Sequence, residues 1–379
     1  MIVETAEQLF DAPTPLRTVV DEMRALSFRA LARMYVADER MFCFTVRRGP
    51  DGDIPEGVSR RYTAIVLIGL AAQQSIRETD VLGGESCDTV CRRLLSDVDR
   101  VDNLGDVALT LWASVALKHE AADRALQRLI ELDPLRRAHP TVEIAWALSA
   151  LTVTPNMSAQ RELYDGLARR LLDSFNATSG LFPHWPANSA PAPWRDHVTC
   201  FADWVYPVHA LSNHHIATGA DDSLDAANRS AEAMLQLQGT EGQWWWHYDV
   251  RTGEVIEPYP VYSVHQDSMA PMALFALQDA NNKEAGPAVR KSLEWLIKSP
   301  ERGDSLIDHD ADLIWRKVCR REPGKLTRGL QALTSRACPP LRMPGVNLMF
   351  PPRAVDYECR PYHLGWLLYA FSDRRLAWS

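Results

Sequence analysis

Apolar residues recur along the chain in two different ways. In one set of segments they fall at i, i+3 and i+4 with a polar face opposite: Val90, Cys91, Leu94, Leu95 and Val98; Leu163, Tyr164, Leu167 and Leu171; Val289, Leu293 and Leu296. That spacing predicts helices with a single buried stripe. In a second set, residues 64–72, 107–117, 144–151, 205–211 and 269–277, apolar side chains cover nearly the whole circumference. Such helices are surrounded by protein. One-sided helices are expected near 15–38, 86–98, 121–132, 160–175, 224–237 and 287–298. Each is followed by a buried one, beginning near 58, 104, 141, 199, 263 and 357. Period-2 alternation is nearly absent, and a short hairpin is expected only around Arg251–Tyr262. Six such pairs predict an all-α fold: a closed ring of six inner and six outer helices, one domain over residues 1–379.

The connections divide just as sharply. Those leading from a buried helix to the next one-sided helix are short, for example Lys118–Glu120 and Thr218–Ser223. Long ones, at 39–57, 176–198, 239–262 and 299–356, all lead into the N-termini of inner helices. In an alternating ring those ends share one rim. Long loops on a rigid scaffold carry function, and positive helix N-termini converge there, so the site is expected on that rim.

Composition narrows the chemistry. The chain of 379 residues carries 41 Lys+Arg against 49 Asp+Glu, a formal charge of −8, and lacks a long basic run. Nucleic-acid binding by counterion release is therefore not expected. Its longest apolar run, Ala64–Ala72, is about half of the roughly 20 residues that cross a bilayer, so no membrane span is expected. Seven cysteines, an odd number for this length, read as reduced thiols rather than a disulfide framework. Residues Met1–Phe10 include Glu4 and Glu7 and no apolar stretch, which suggests no leader and a cytoplasmic location. No P-loop, G-x-G-x-x-G, G-x-S-x-G or H-E-x-x-H motif occurs. No cofactor and no metal site are expected.

Charged residues in the first turns of the apolar inner helices are the leads, because burying a carboxylate there is costly unless it is paired or faces a wet cavity. They are Asp106, Glu143, Asp203, His265 and Asp267, with Glu358, Arg360 and His363 at the last inner helix. The segment Glu257–Ala270 is the densest, combining Tyr259, Tyr262, His265 and Asp267. A His two residues from an Asp suits an acid/base pair. Arg61 and Arg360 suit an anionic group. Trp185 beside His184, Tyr62 and Tyr262 suit stacking on a sugar face or a carbocation.

The segment Ala226–Trp246 ends with Gln238, Gly242 and Trp244, which resembles the Q-x-x-x-G-x-W signature of helical toroids in terpenoid cyclases and protein prenyltransferases. The preceding ATGADDSLDAA resembles the helix-joining turn of six-hairpin glycosidases, lyases and sugar epimerases. Both resemblances imply the (α/α)6 toroid superfamily. Two features of its members are missing: the Asp-x-Asp-Asp acid motif of terpenoid cyclases, since Asp308, Asp310 and Asp312 merely alternate, and the zinc-ligand set of prenyltransferases. Asp221, Asp222 and Asp225 lie in a short turn on the opposite rim and read as helix caps. The resemblance implies a carbohydrate-active enzyme (glycoside hydrolase, lyase or epimerase) acting on a small-molecule or oligosaccharide substrate. Asp267, His265, Asp203, Glu143 and Asp106 are its candidate catalytic groups. Tyr262, Trp185, His184, Arg61, Tyr62, Glu358, Arg360 and His363 are candidates for substrate binding. A terpenoid cyclase-like enzyme and a non-catalytic toroid scaffold remain alternatives.

Overall fold

The computed structural model describes residues 15–376 apart from 51, 75–77, 156, 187–190, 282, 323–325 and 340; Met1–Phe10, read above for a leader, lies outside them. Twelve helices among the described residues build the double ring. In chain order the outer and inner partners are α1 (Pro15–Met34) and α2 (Arg60–Ala71), α3 (Cys87–Leu95) and α4 (Leu104–Ala116), α5 (Ala122–Glu131) and α6 (Thr141–Val153). Then follow α7 (Arg161–Ser174) and α8 (Ala202–Thr218), α9 (Asp221–Gln236) and α10 (Ala270–Asn281), α11 (Gly286–Ile297) and α12 (Pro361–Ala370). Each inner helix packs on the next, and α12 closes the ring on α2. That seam is backbone against backbone: a Cβ on Gly69 would lie 2.3 Å from the Gly365 carbonyl oxygen, so only glycine fits.

The helix ends follow from their residues. Ser59 and Asn103 cap α2 and α4 by accepting from the N–H groups of Tyr62 and Asp106. Gly219, at φ 74°, ends α8 in the left-handed region and permits the short turn into α9. Asp221 and Asp222 occupy the first turn of α9, where its dipole favours them, but Ala220 holds the cap position itself. The cap reading of those aspartates is corrected accordingly. Gln238 ties the end of α9 to α11 by donating to the Gly242 and Ala288 carbonyls, and Trp244 is buried against Phe201. The toroid signature is thus a packing device.

Strands are more numerous than alternation suggested. A hairpin does form near the expected place, with His247–Asp249 against Val255–Glu257, but another joins Thr45–Gly49 to Gly52–Glu56. Three three-stranded sheets stitch the rim loops together. Glu358–Cys359 pairs with Thr45–Gly49, Val198–Cys200 with His247–Asp249, and Lys317–Cys319 with both Val261–Tyr262 and Ala354–Asp356. Every strand lies in a connection leading into an inner-helix N-terminus. The sheets therefore fix the rim on which the polar first turns open. No helix among the described residues is long and apolar enough to cross a membrane.

Candidate active site

Four corners of the rim carry the polar residues. At the first, Arg61 of α2 donates to Asp106 of α4 (2.6 Å) and to Asn103 (2.8 Å), while Asn103 donates to Glu143 of α6 (2.9 Å). Arg61 lies 4.0 Å from Glu143 as well, and its guanidinium covers the Trp146 ring at 5.3 Å. Two carboxylates on neighbouring helices thus share one cation and one amide. Asp106 and Glu143 keep 24% and 10% of their side-chain surface, so both remain within reach of a ligand.

The second corner centres on Asp203, whose side chain is wholly buried in the first turn of α8. Its oxygens accept from His184 Nδ1 (3.0 and 3.1 Å), from the Thr199 hydroxyl (3.2 Å) and from the Cys200 backbone N–H (2.9 Å). Burial opposes the charge, but the imidazole and these donors prevail and hold the Asp203 carboxyl below its ordinary range. In return the carboxylate's charge, then its hydrogen bond, raises His184 above the usual histidine value. His184 is half-exposed, at 49% of its side chain. Its carbonyl accepts from Thr141 N–H, which pins its loop to α6, and Trp185 stands edge-on beside the imidazole. His184 Nδ1, Cys200 Sγ and an Asp203 oxygen also lie within 4.8 Å of one another, the spacing of a three-ligand metal site. Both Asp203 oxygens are already engaged there, and burial, followed by the Asp203 charge, pushes the Cys200 thiol well up.

At the third corner the expected His265–Asp267 pair does not form. His265–Met269 forms a π turn, and residues two apart on a helix point to opposite sides. Asp267, wholly buried, accepts instead from His363 Nε2 (2.7 and 2.8 Å) and from Ser268. Ser268 also donates to the His363 carbonyl (3.2 Å), which locks α12 to the turn. Pro271 follows the turn and lacks an N–H, and the Gln266 carbonyl accepts from Ser292 of α11. His265 packs against Phe201 and Tyr262, and burial lowers its pKa to about 3, so the ring is neutral.

Glu358 sits at the fourth corner. It is no free carboxylate: Arg47 (2.5 Å), Arg316 (2.8 Å) and Arg360 (3.3 Å) all donate to it. Arg360 also donates to the Tyr62 hydroxyl (3.0 Å), and Tyr62 is stacked between Phe44 and Tyr362. Tyr262 faces Arg316 at 5.4 Å. These groups brace the rim.

The corners are coupled electrostatically: Glu143 acts on His184, His184 and His265 on the buried His247, Tyr262 on Tyr362, and Tyr362 and Arg61 on Tyr206. Sequence reasoning missed Asn103, Tyr206, His247 and Arg316. Asn103 alone had a local signal, as the cap before an apolar run.

No family model matches the chain, and no curated protein matches it in sequence. Solved structures do match in shape. A cellobiose 2-epimerase from Bacillus thermoamylovorans aligns with TM-score 0.62 at 12% identity, over 95% of this chain and 100% of its own. An unsaturated glucuronyl hydrolase specific for heparin aligns with TM-score 0.60 at 11% identity, over 95% and 96%. A sugar epimerase from a ruminal bacterium gives 0.57 at 9%, over 93% and 98%. The fold is the (α/α)6 toroid.

Proposed function

We propose that residues 1–379 form one toroid domain and that it is a carbohydrate-active enzyme, working by acid/base chemistry at the mouth of the ring. The observation that carries this reading is the half-exposed His184 bonded to the wholly buried Asp203, whose charge raises the imidazole's pKa, with Glu143 within its field. His184 is the proton donor to a sugar oxygen, Glu143 the carboxylate that accepts a proton, and Asp203 the residue that positions and charges His184. Asp106 and Arg61 orient Glu143 through Asn103, while Asp267 serves to hold His363. Trp185 and Tyr262 offer faces to a pyranose. The named activities of the toroids of similar shape, glucuronyl hydrolase and sugar epimerase, are consistent with this substrate class. A mouth lined by Arg, His, Asp and Glu suits a hydroxylated ring rather than a polyene. Seven unpaired thiols fit a reducing compartment, the cytoplasm.

Incubation with neutral and uronate-containing disaccharides, with products separated by chromatography, tests the reading. Conversion by the wild type and its loss in His184→Gln support it. A cleaved product means the carboxylate takes its proton from water, and an epimer means it takes it from a sugar carbon. Conversion undiminished in His184→Gln contradicts the assignment.

A further inference from the structure

Resting on that sugar-enzyme reading, we propose that Arg195 and Arg328 form an anion subsite at the mouth of the ring, taking a carboxylate, sulfate or phosphate carried by the sugar. Arg195 ends the turn Pro193–Arg195, just before strand Val198–Cys200. Arg328 lies in the first turn of helix Leu326–Ala337, which packs on that turn. Both are partly buried, and the Arg328 guanidinium covers the Trp246 ring at 5.1 Å. Trp246 in turn stacks on His247 at 3.9 Å and meets Tyr262 edge-on.

Among the described residues neither arginine makes an ion pair, whereas the site's other arginines do: Arg61 with Asp106, and Arg316 and Arg360 with Glu358. Burial and then the charge of Arg328 act on Arg195, with no carboxylate opposing them. Burial, then Arg195, Arg328, His184 and His265, keep the His247 imidazole well below its ordinary value. The buried Asp203 has both oxygens engaged by His184, Thr199 and Cys200. Two partly desolvated cations without a counterion are costly, and a bound anion removes that cost. Guanidinium forks match planar carboxylates and tetrahedral oxyanions. Arg195 also acts electrostatically on His184, so an anion held by the two arginines brings the attached ring toward the proton donor.

Calorimetric titration of the full chain with glucuronate, glucose 6-sulfate, glucose 6-phosphate, glucose and inorganic sulfate tests this, with circular dichroism confirming that each variant folds. At least one charged sugar binds about tenfold or more tighter than glucose, the preference weakens with added salt, and Arg328→Gln or Arg195→Gln abolishes it. Arg302→Gln, in the connection 299–356 where Arg302 pairs with Asp304, leaves it intact. The probe bound most tightly names the anionic group. Equal affinity for glucose and the charged sugars, or a preference that survives both substitutions, overturns the subsite but leaves the sugar reading standing. Binding of inorganic sulfate, lost in Arg328→Gln, with no sugar bound, supports the subsite and overturns the sugar reading. No binding of any probe overturns both.

Discussion

Two aspartates occupy matching places in the ring, and only one of them has an open partner. Asp203 and Asp267 both sit at the N-terminal ends of inner helices, both are wholly buried, and both are bonded to a histidine. His184 reaches its aspartate from a rim loop and keeps half of its surface, while His363 comes from the neighbouring helix and keeps 4%. The same chemical pair is thus open to a ligand where a loop carries the imidazole, as the proposed proton donor requires, and closed where a helix carries it. Loop placement, rather than residue type, separates the two.

Substitution at the open pair has the largest expected effect. His184→Gln and Asp203→Asn each lower kcat/KM on the converted sugar by about 10²- to 10⁴-fold, the usual contribution of a general acid, while denaturation midpoints move little for His184→Gln. At the closed pair the loss falls on stability: Asp267→Ala costs about 3 kcal/mol in denaturant unfolding by leaving a buried partner unpaired. An Asp267→Ala enzyme that keeps its stability but loses all turnover would reverse the two roles. The closed side also depends on backbone contact. Gly365→Ala places a Cβ 2.9 Å from the Ile65 carbonyl oxygen and is expected to cost roughly 1–3 kcal/mol without altering the pH profile. The smallest effect is a displacement of that profile. His184 acts in its protonated form, so activity falls as pH rises through its raised pKa; in the residual activity of Asp203→Asn the fall begins at lower pH.

Much of the ring was legible in the sequence because burial imposes helical periodicity. The inner helices expected near 104 and 141 begin at Leu104 and Thr141, and the outer helix expected over 160–175 spans Arg161–Ser174. The sheets were not legible, since their strands are two to five residues long and pair across the rim, as Glu358 does with Arg47. The candidate carboxylates stood out as charges in apolar helices, but their partners did not. Asp267 is bonded to His363, 96 residues away, rather than to His265 two residues away, because side chains two apart on a helix do not face each other. Arg195 and Arg328 lie in the rim connections, where arginine is ordinary, and their mark in the structure is that among the described residues neither pairs with a carboxylate.

The most direct test is an NMR pH titration of the histidine rings in the wild type and in Asp203→Asn. The account predicts that His184 titrates above the ordinary value of about 6.5 and falls toward it when the Asp203 charge is removed. A His184 that titrates at or below that value, or that is unmoved by Asp203→Asn, would contradict its role as the proton donor.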